Sequence, residues 1–115
     1  MSDLNEIVSG LILELRRGTI ILCVLSQLSE PEYGYSLVRS LEKKGVSIDP
    51  GTLYPLLRRL EKQEILKSQW DTNEARPRKY YLLSETGKEV YIRLCEEWRT
   101  MVSSIERLIM SEGEC

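Results

Sequence analysis

The groups in this chain whose type and spacing could do chemistry are cations and hydroxyls, gathered between Tyr33 and Lys79. Histidine is absent, which removes Ser-His-Asp and Cys-His catalysis and zinc fingers of the Cys/His kind. The cysteines, Cys23, Cys95 and Cys115, are odd in number and form no CxxC pair. Cys23 and Cys95 stand among apolar residues, where a free thiol behaves as a small hydrophobe. The glycines spell neither GxGxxG nor GxxxxGK, so no phosphate loop or dinucleotide site is written here. Carboxylates are plentiful, but they fall on helical surfaces opposite apolar stripes, as solvated faces do. No constellation for an enzyme remains, and neither a cofactor nor a metal is expected. What remains is a set suited to neutralising and hydrogen-bonding phosphate: Arg58, Arg59, Arg76, Arg78 and Lys79, with Thr52, Tyr54, Tyr33, Tyr35 and Ser36.

A net charge of −2 argues against nucleic acid until its distribution is considered. From Tyr33 to Leu82 there are ten basic residues against six acidic, leaving +4 in the middle and −6 on the flanks. Fields of exposed charges fade within about 10 Å at moderate salt, so a basic module between acidic flanks still attracts phosphate locally.

These residues need elements to hold them. The segment DPGTLYPLLRRLEKQEIL, Asp49 to Leu66, reads as a helix with a sharp start. Asp49 can cap it through its carboxylate, and Pro50 suits the first helical position. Leu53, Leu56, Leu57 and Leu60 make one inner stripe; Thr52, Tyr54, Pro55, Arg58, Arg59 and Lys62 lie opposite. Such a helix fits a DNA major groove, or is an ordinary amphipathic surface helix. Pro55 stands beyond the first turn and removes the hydrogen bond to the carbonyl of Gly51, which predicts a distorted start.

Residues 3–28 read as one long apolar helix with a break in its pattern at Gly18, followed by the connector SEPEYG. Leu4, Val8, Leu11, Leu15, Leu22 and Leu25 recur along it at steps of three and four. A second helix runs from about Tyr35 to Lys44 and ends at Gly45. With the cationic helix it makes the outline of a helix-turn-helix. Ile65 to Asp71 and Arg78 to Leu83 then alternate as short strands around the polar loop DTNEARP, a hairpin whose arm carries Arg76, Arg78 and Lys79. A basic hairpin of this kind can reach phosphates or a minor groove. Ser84 opens a last helix, with Glu85 in its first turn, running to about Met110. Along it Tyr91, Leu94, Trp98, Met101, Ile105 and Leu108 alternate by threes and fours, the seam of a coiled coil. A helix this long outruns a small domain, so its seam is expected to bury against a second subunit and the long first helix. On that first helix the expected dimer contacts are Leu4 and Leu11. Position 8 between them is a valine, Val8, not a leucine, and is left out of the expected contacts.

The order of elements and four stretches, YGYSLVRSLE (Tyr33 to Glu42), GTLYPLLRRLEKQEIL (Gly51 to Leu66), RKYYLLSETGKE (Arg78 to Glu89) and the terminal helix with Trp98, resemble the short form of the PadR family of bacterial transcriptional regulators. The resemblance spans nearly the whole chain. It implies a mainly α fold with a small β-hairpin wing: a winged helix-turn-helix over 1–84 and a dimerisation helix over 85–115. It also implies a homodimeric repressor on a pseudo-palindromic operator in double-stranded DNA. The helix matching Pro50 to Gln63 would enter the major groove, and the wing matching Asp71 to Lys79 would follow the backbone. Such regulators usually repress nearby genes, often for efflux or stress detoxification, and small, often aromatic, effectors release some of them. In a subgroup, a tryptophan matching Trp98 faces its dimer mate across a central pore and stacks planar drugs. Ile20 could line the same space; alternatively Trp98 only fills the interface.

Thr52 and Tyr54, in the first turns of the recognition helix, are the expected base contacts, with packing against the preceding helix as the other reading of Tyr54. Arg58 and Arg59 are expected on phosphates. Tyr33, Tyr35 and Ser36 could donate to phosphate through hydroxyls or backbone N–H groups. The competing class is a winged-helix protein-interaction module that never touches DNA, consistent with the overall acidity. The N-terminal residues lack the layout of a secretory signal and no apolar run reaches the roughly 20 residues of a membrane span, so a cytoplasmic location without membrane contact is expected.

Overall fold

The computed structural model describes residues 3–73 and 75–111. Helix α1, Leu4–Arg17, starts where Asp3 accepts from the Glu6 N–H at 2.9 Å. It does not continue to residue 28. The Thr19 N–H and the Thr19 hydroxyl both donate to the Arg16 carbonyl, at 3.0 and 2.8 Å. That carbonyl is closed into a short turn, so the helical ladder stops and restarts as α2, Ile20–Ser26. The expected single helix is therefore two. They differ sharply: α2 buries Val24 and Leu25, whereas α1 buries nothing.

The SEPEYG connector also carries more structure than expected. Glu32–Tyr33 form strand β1, pairing antiparallel with the hairpin's second strand through Glu32 with Tyr81 and Tyr33 with Tyr80. A strand this short has no readable alternation. Helix α3, Gly34–Lys43, and helix α4, Pro50–Lys62, end alike. At α3 the Gly45 N–H donates to Glu42 and the Val46 N–H to Leu41, with Gly45 left-handed at φ 88°. At α4 the Glu64 N–H donates to Glu61 and the Ile65 N–H to Leu60, with Glu64 at φ 63°. Both are paired 5→2 and 6→1 closures, but the second places a glutamate where glycine is preferred.

Strands β2, Leu66–Asp71, and β3, Arg78–Leu83, form the hairpin, giving the order β1-β3-β2. One face presents Leu66, Tyr81 and Leu83 to the core, where they join Leu37 and Leu41 of α3, Leu53, Leu57 and Leu60 of α4, and α2. Leu56 sits at the margin of this core, half-buried. Helix α5, Glu85–Ser111, is capped as expected: the Gly87 N–H donates to the Ser84 hydroxyl oxygen at 2.9 Å. The Ser84 hydroxyl in turn points at the carbonyls of Glu64 and Ile65. Gly87 passes so close to β2 that a Cβ there would lie 2.0 Å from the Ile65 carbonyl oxygen. The start of α5 is thus locked to the hairpin.

The radius of gyration is 17.2 Å over extents of 57 × 37 × 23 Å, whereas a compact domain of this length has about 13 Å. Two projections account for the excess. All the large apolar residues of α1 are exposed, from Leu15 at 77% to Ile12 at 38%. Val8 is exposed like the leucines on either side of it. Helical spacing sets Val8 on one line with Leu4 and Leu11, and all three are uncovered. On α5, Tyr91 and Leu94 pack on the core, while Trp98, Met101, Ile105 and Leu108 are exposed. The expected seam is therefore divided between an inward half and an uncovered half.

Candidate nucleic-acid interface

Helix α4 owes its abrupt start to Pro50 at its first turn and to Asp49, whose carbonyl accepts from the N–H groups of Thr52 and Leu53 at 2.9 and 3.0 Å. The expected carboxylate cap is absent: Asp49 makes no side-chain capping bond. Its Oδ2 lies instead against Gly51, where a Cβ would be 2.8 Å away. Pro55 is inside the helix and exposed, and the helix runs on through it. With the leucines turned inward, helical spacing sets Gly51, Pro55, Arg58 and Lys62 along the outermost line. Thr52, Arg58, Arg59 and Lys62 are all exposed.

Tyr54 is different. It is half-buried, and its ring lies over Gly34 so closely that a Cβ there would fall 2.5 Å from Cε1. Its aromatic face joins α4 to the start of α3, the packing role weighed from the sequence.

Two open grooves flank the helix. One, of about 550 Å³, is lined by Arg58, Arg59, Glu61, Lys62 and Lys79. The other, of about 510 Å³, runs between α4 and the α1–α2 junction and includes Arg17, Ile20, Thr52, Pro55 and Arg59. Arg59 borders both, so cationic charge wraps around the helix.

Polar contacts hold the wing on both of its faces, to α4 on one and to Tyr33 of β1 on the other. On the core side, Lys79 Nζ pairs with Glu61 Oε1 at 2.9 Å, and the Ser68 hydroxyl donates to Glu61 Oε2. The Ser68 hydroxyl and then the Lys79 ammonium hold the Glu61 carboxyl below its ordinary value of 4.5. Glu61 in turn raises Lys79 above 10.5. On the opposite face the Tyr33 hydroxyl donates to Asp71 Oδ2 at 2.6 Å, and the Arg78 guanidinium lies 4.8 Å from the centre of the Tyr33 ring. Tyr33 also meets Tyr80 edge to face at 6.0 Å. Tyr33, Arg78 and Lys79, expected as phosphate contacts, thus have partners within the protein. Tyr35 is exposed and bonded to Arg39, and Ser36 is half-buried behind it. Arg76 is exposed on the wing loop.

Sequence reasoning missed Glu61, Ser68 and Asp71, which read singly as solvated polar residues. Strand register was the available signal: Trp70 opposite Lys79 and Ser68 opposite Tyr81 put Ser68 and Lys79 on one face.

Away from this surface, Trp98 borders a cavity of about 200 Å³ with Leu15, Thr19, Ile21, Leu22, Leu94 and Met101. Ile20 is not among its walls, because it turns toward α4 and the Val46–Ile48 loop. Among the described residues no cluster of side chains is arranged to hold a metal ion, and no helix is long and apolar enough to cross a membrane.

The order of elements, the paired helices and the three-stranded wing match known proteins. The model of the transcriptional regulator PadR-like family matches residues 21–93. The chain belongs to that family. A crystal structure of a PadR family regulator from Eggerthella lenta superposes with a TM-score of 0.88 at 47% identity, covering 91% of this chain and 94% of the other. A transcriptional regulator from Clostridium thermocellum gives a TM-score of 0.78 at 30% identity, covering 84% and 98%. A transcriptional regulator of Mycobacterium tuberculosis is 33% identical over 76 residues, 65% of this chain and 71% of its own length. PadR-like proteins are DNA-binding transcriptional regulators and not enzymes. The fold is accordingly a winged helix-turn-helix, mainly helical with a small antiparallel sheet.

Proposed function

We propose that this PadR-like protein is a homodimeric repressor that binds a pseudo-palindromic operator through α4 and the wing and is released by a small planar effector. The observation that carries the DNA-contacting part is the outer face of α4. There Arg58, Arg59 and Lys62 stand exposed around a helix whose inner face is fully committed to the core. Thr52 is the side chain placed for base contact near the helix start. Tyr54 serves mainly as packing between α3 and α4, since its ring and its hydroxyl oxygen both lie against Gly34. Arg58, Arg59, Lys62 and Arg76 take phosphates, with Tyr35 and Ser36 at the start of α3 as hydrogen-bonding partners. Tyr33, Arg78 and Lys79 act mainly by fixing the wing, since their charges and hydroxyl are engaged internally.

Dimerisation is supported by the apolar surface that one protomer leaves in water: Leu4, Val8 and Leu11 on α1, and Trp98, Met101, Ile105 and Leu108 on α5. Tyr91 and Leu94 anchor the base of α5 to its own domain. Residues 1–84 would thus be the reading head and 85–115 the coupling helix. The same seam places the Trp98 cavity at the junction of α1, α2 and α5, where a planar ligand would alter how the heads are held. A cytoplasmic location follows from this function.

Gel shift with duplexes enriched from a random-sequence library tests the reading. Sequence-selective binding that falls with salt is expected, and Arg58→Ala should weaken binding and reduce the salt slope by about one. Failure to enrich any sequence would contradict it. For the effector, Trp98 emission in a Trp70→Phe background should quench with planar cationic or phenolic compounds; an inert Trp98 across a broad panel would leave it as an interface filler.

A further inference from the structure

Trp70 lies outside the core and outside the interface described so far. Its indole is 59% exposed, near the loop end of β2, which is an edge strand. This leaves most of a large aromatic surface in water beside a strand edge. Its neighbours indicate what would cover it. Trp70 stands opposite Lys79 in the hairpin, and the Lys79 ammonium lies 6.0 Å from the indole centre. Lys79, itself paired with Glu61, borders a groove in which Arg58, Arg59 and Lys62 supply the remaining cations. A purely apolar partner would have to strip water from these cations. A DNA strand offers both halves of the match, phosphates for the cations and the apolar face of a deoxyribose for the indole.

We propose that Trp70 is a DNA-contacting residue of the wing, packing on a deoxyribose of the strand whose phosphates enter the Arg58–Lys62 groove. The proposal rests on the DNA-binding function above. Glu61, by tying Lys79 and Ser68 to α4, is the positioning residue that sets the indole at the height of that strand.

The contact is non-ionic, which makes it separable from the arginine contacts. With a labelled duplex enriched from a random library, Trp70→Ala should bind about tenfold more weakly, comparable to the loss of one aromatic stack. The slope of log affinity against log salt should not change, because no cation is lost. Trp70→Phe should recover most of the affinity. In the otherwise wild-type protein carrying fluorotryptophan, the chain's two tryptophans give two fluorine resonances, assigned through Trp70→Phe. The Trp70 resonance should shift on adding the duplex. Wild-type affinity in Trp70→Ala, or a Trp70 resonance unmoved by a saturating duplex, would overturn the contact while leaving DNA binding intact. Dissociation of the dimer by Trp70→Ala would also overturn it, making the indole a contact between copies. A library that enriches no sequence would remove the DNA function and this contact together.

Discussion

Single residues in this protein hold shape at the expense of local rules, and that makes them testable. Pro55 interrupts the helical hydrogen bonding of α4 on its exposed face; a proline inside a helix costs about 3 kcal/mol, less near an end. Pro55→Ala should therefore raise stability by about 1–2 kcal/mol in a denaturant titration while weakening operator binding, since the proline shapes the outermost line of the helix. Greater stability with unaltered affinity would make Pro55 a neutral relic. Gly34 is required by the Tyr54 ring, because a methyl group there would overlap Cε1. Gly34→Ala should lower stability by about 1–3 kcal/mol, as overpacking does, and a melt matching wild type would show that the α3–α4 contact is loose. Glu61 links stability to pH. Its folded value lies below its ordinary 4.5, so its stabilisation is complete above that pH and is lost as pH falls through the folded value. Lys79 is shifted upward from 10.5, so its share is complete below that pH and lost on the alkaline side. Glu61→Gln should flatten the acid limb of a stability–pH curve, and an unchanged limb would mean the pair is solvated.

At the level of elements, what could be read from the sequence follows the length of each pattern. The α4 and α5 stripes and both hairpin strands have enough turns or alternations to place them within a residue or two. The α1–α2 break was visible only as an interruption at Gly18, because the turn depends on the Thr19 hydroxyl reaching back to Arg16. Strand β1 has only Glu32 and Tyr33, and only its partner defines it. The cationic face of α4 was legible for the same reason as its leucines. The wing was not, since Glu61, Ser68 and Lys79 converge only when helix and hairpin meet. Element ends can be tested as well. The C-terminal turn of α4 uses Glu64 in a left-handed conformation that costs an ordinary residue about 1–2 kcal/mol. Glu64→Gly should stabilise the fold by up to about 1 kcal/mol, whereas Gly45→Glu, its mirror at α3, should destabilise it. Calorimetry on the two variants reads both signs, and a loss of stability in Glu64→Gly would show that its side chain makes a compensating contact.

At the scale of the whole molecule, a single chain leaves long apolar surfaces uncovered. Its α1 buries no residue, and the outer half of α5 exposes an apolar stripe, while the reading head between them is well packed. A second copy would cover both surfaces and fix two α4 helices at one separation. Ile105→Glu, in the middle of the stripe, should convert the dimer to monomer in sedimentation without unfolding the head, and should reduce operator affinity far more than any single arginine replacement. The proposed function requires operator recognition by two coupled heads. It is tested most directly by hydroxyl-radical footprinting of the protein on a duplex that it enriches itself. Two protected half-sites in inverted repeat are expected, one helical turn or a whole multiple of about 34 Å apart. A single protected half-site bound by one chain, or no protected sequence at all, would contradict it.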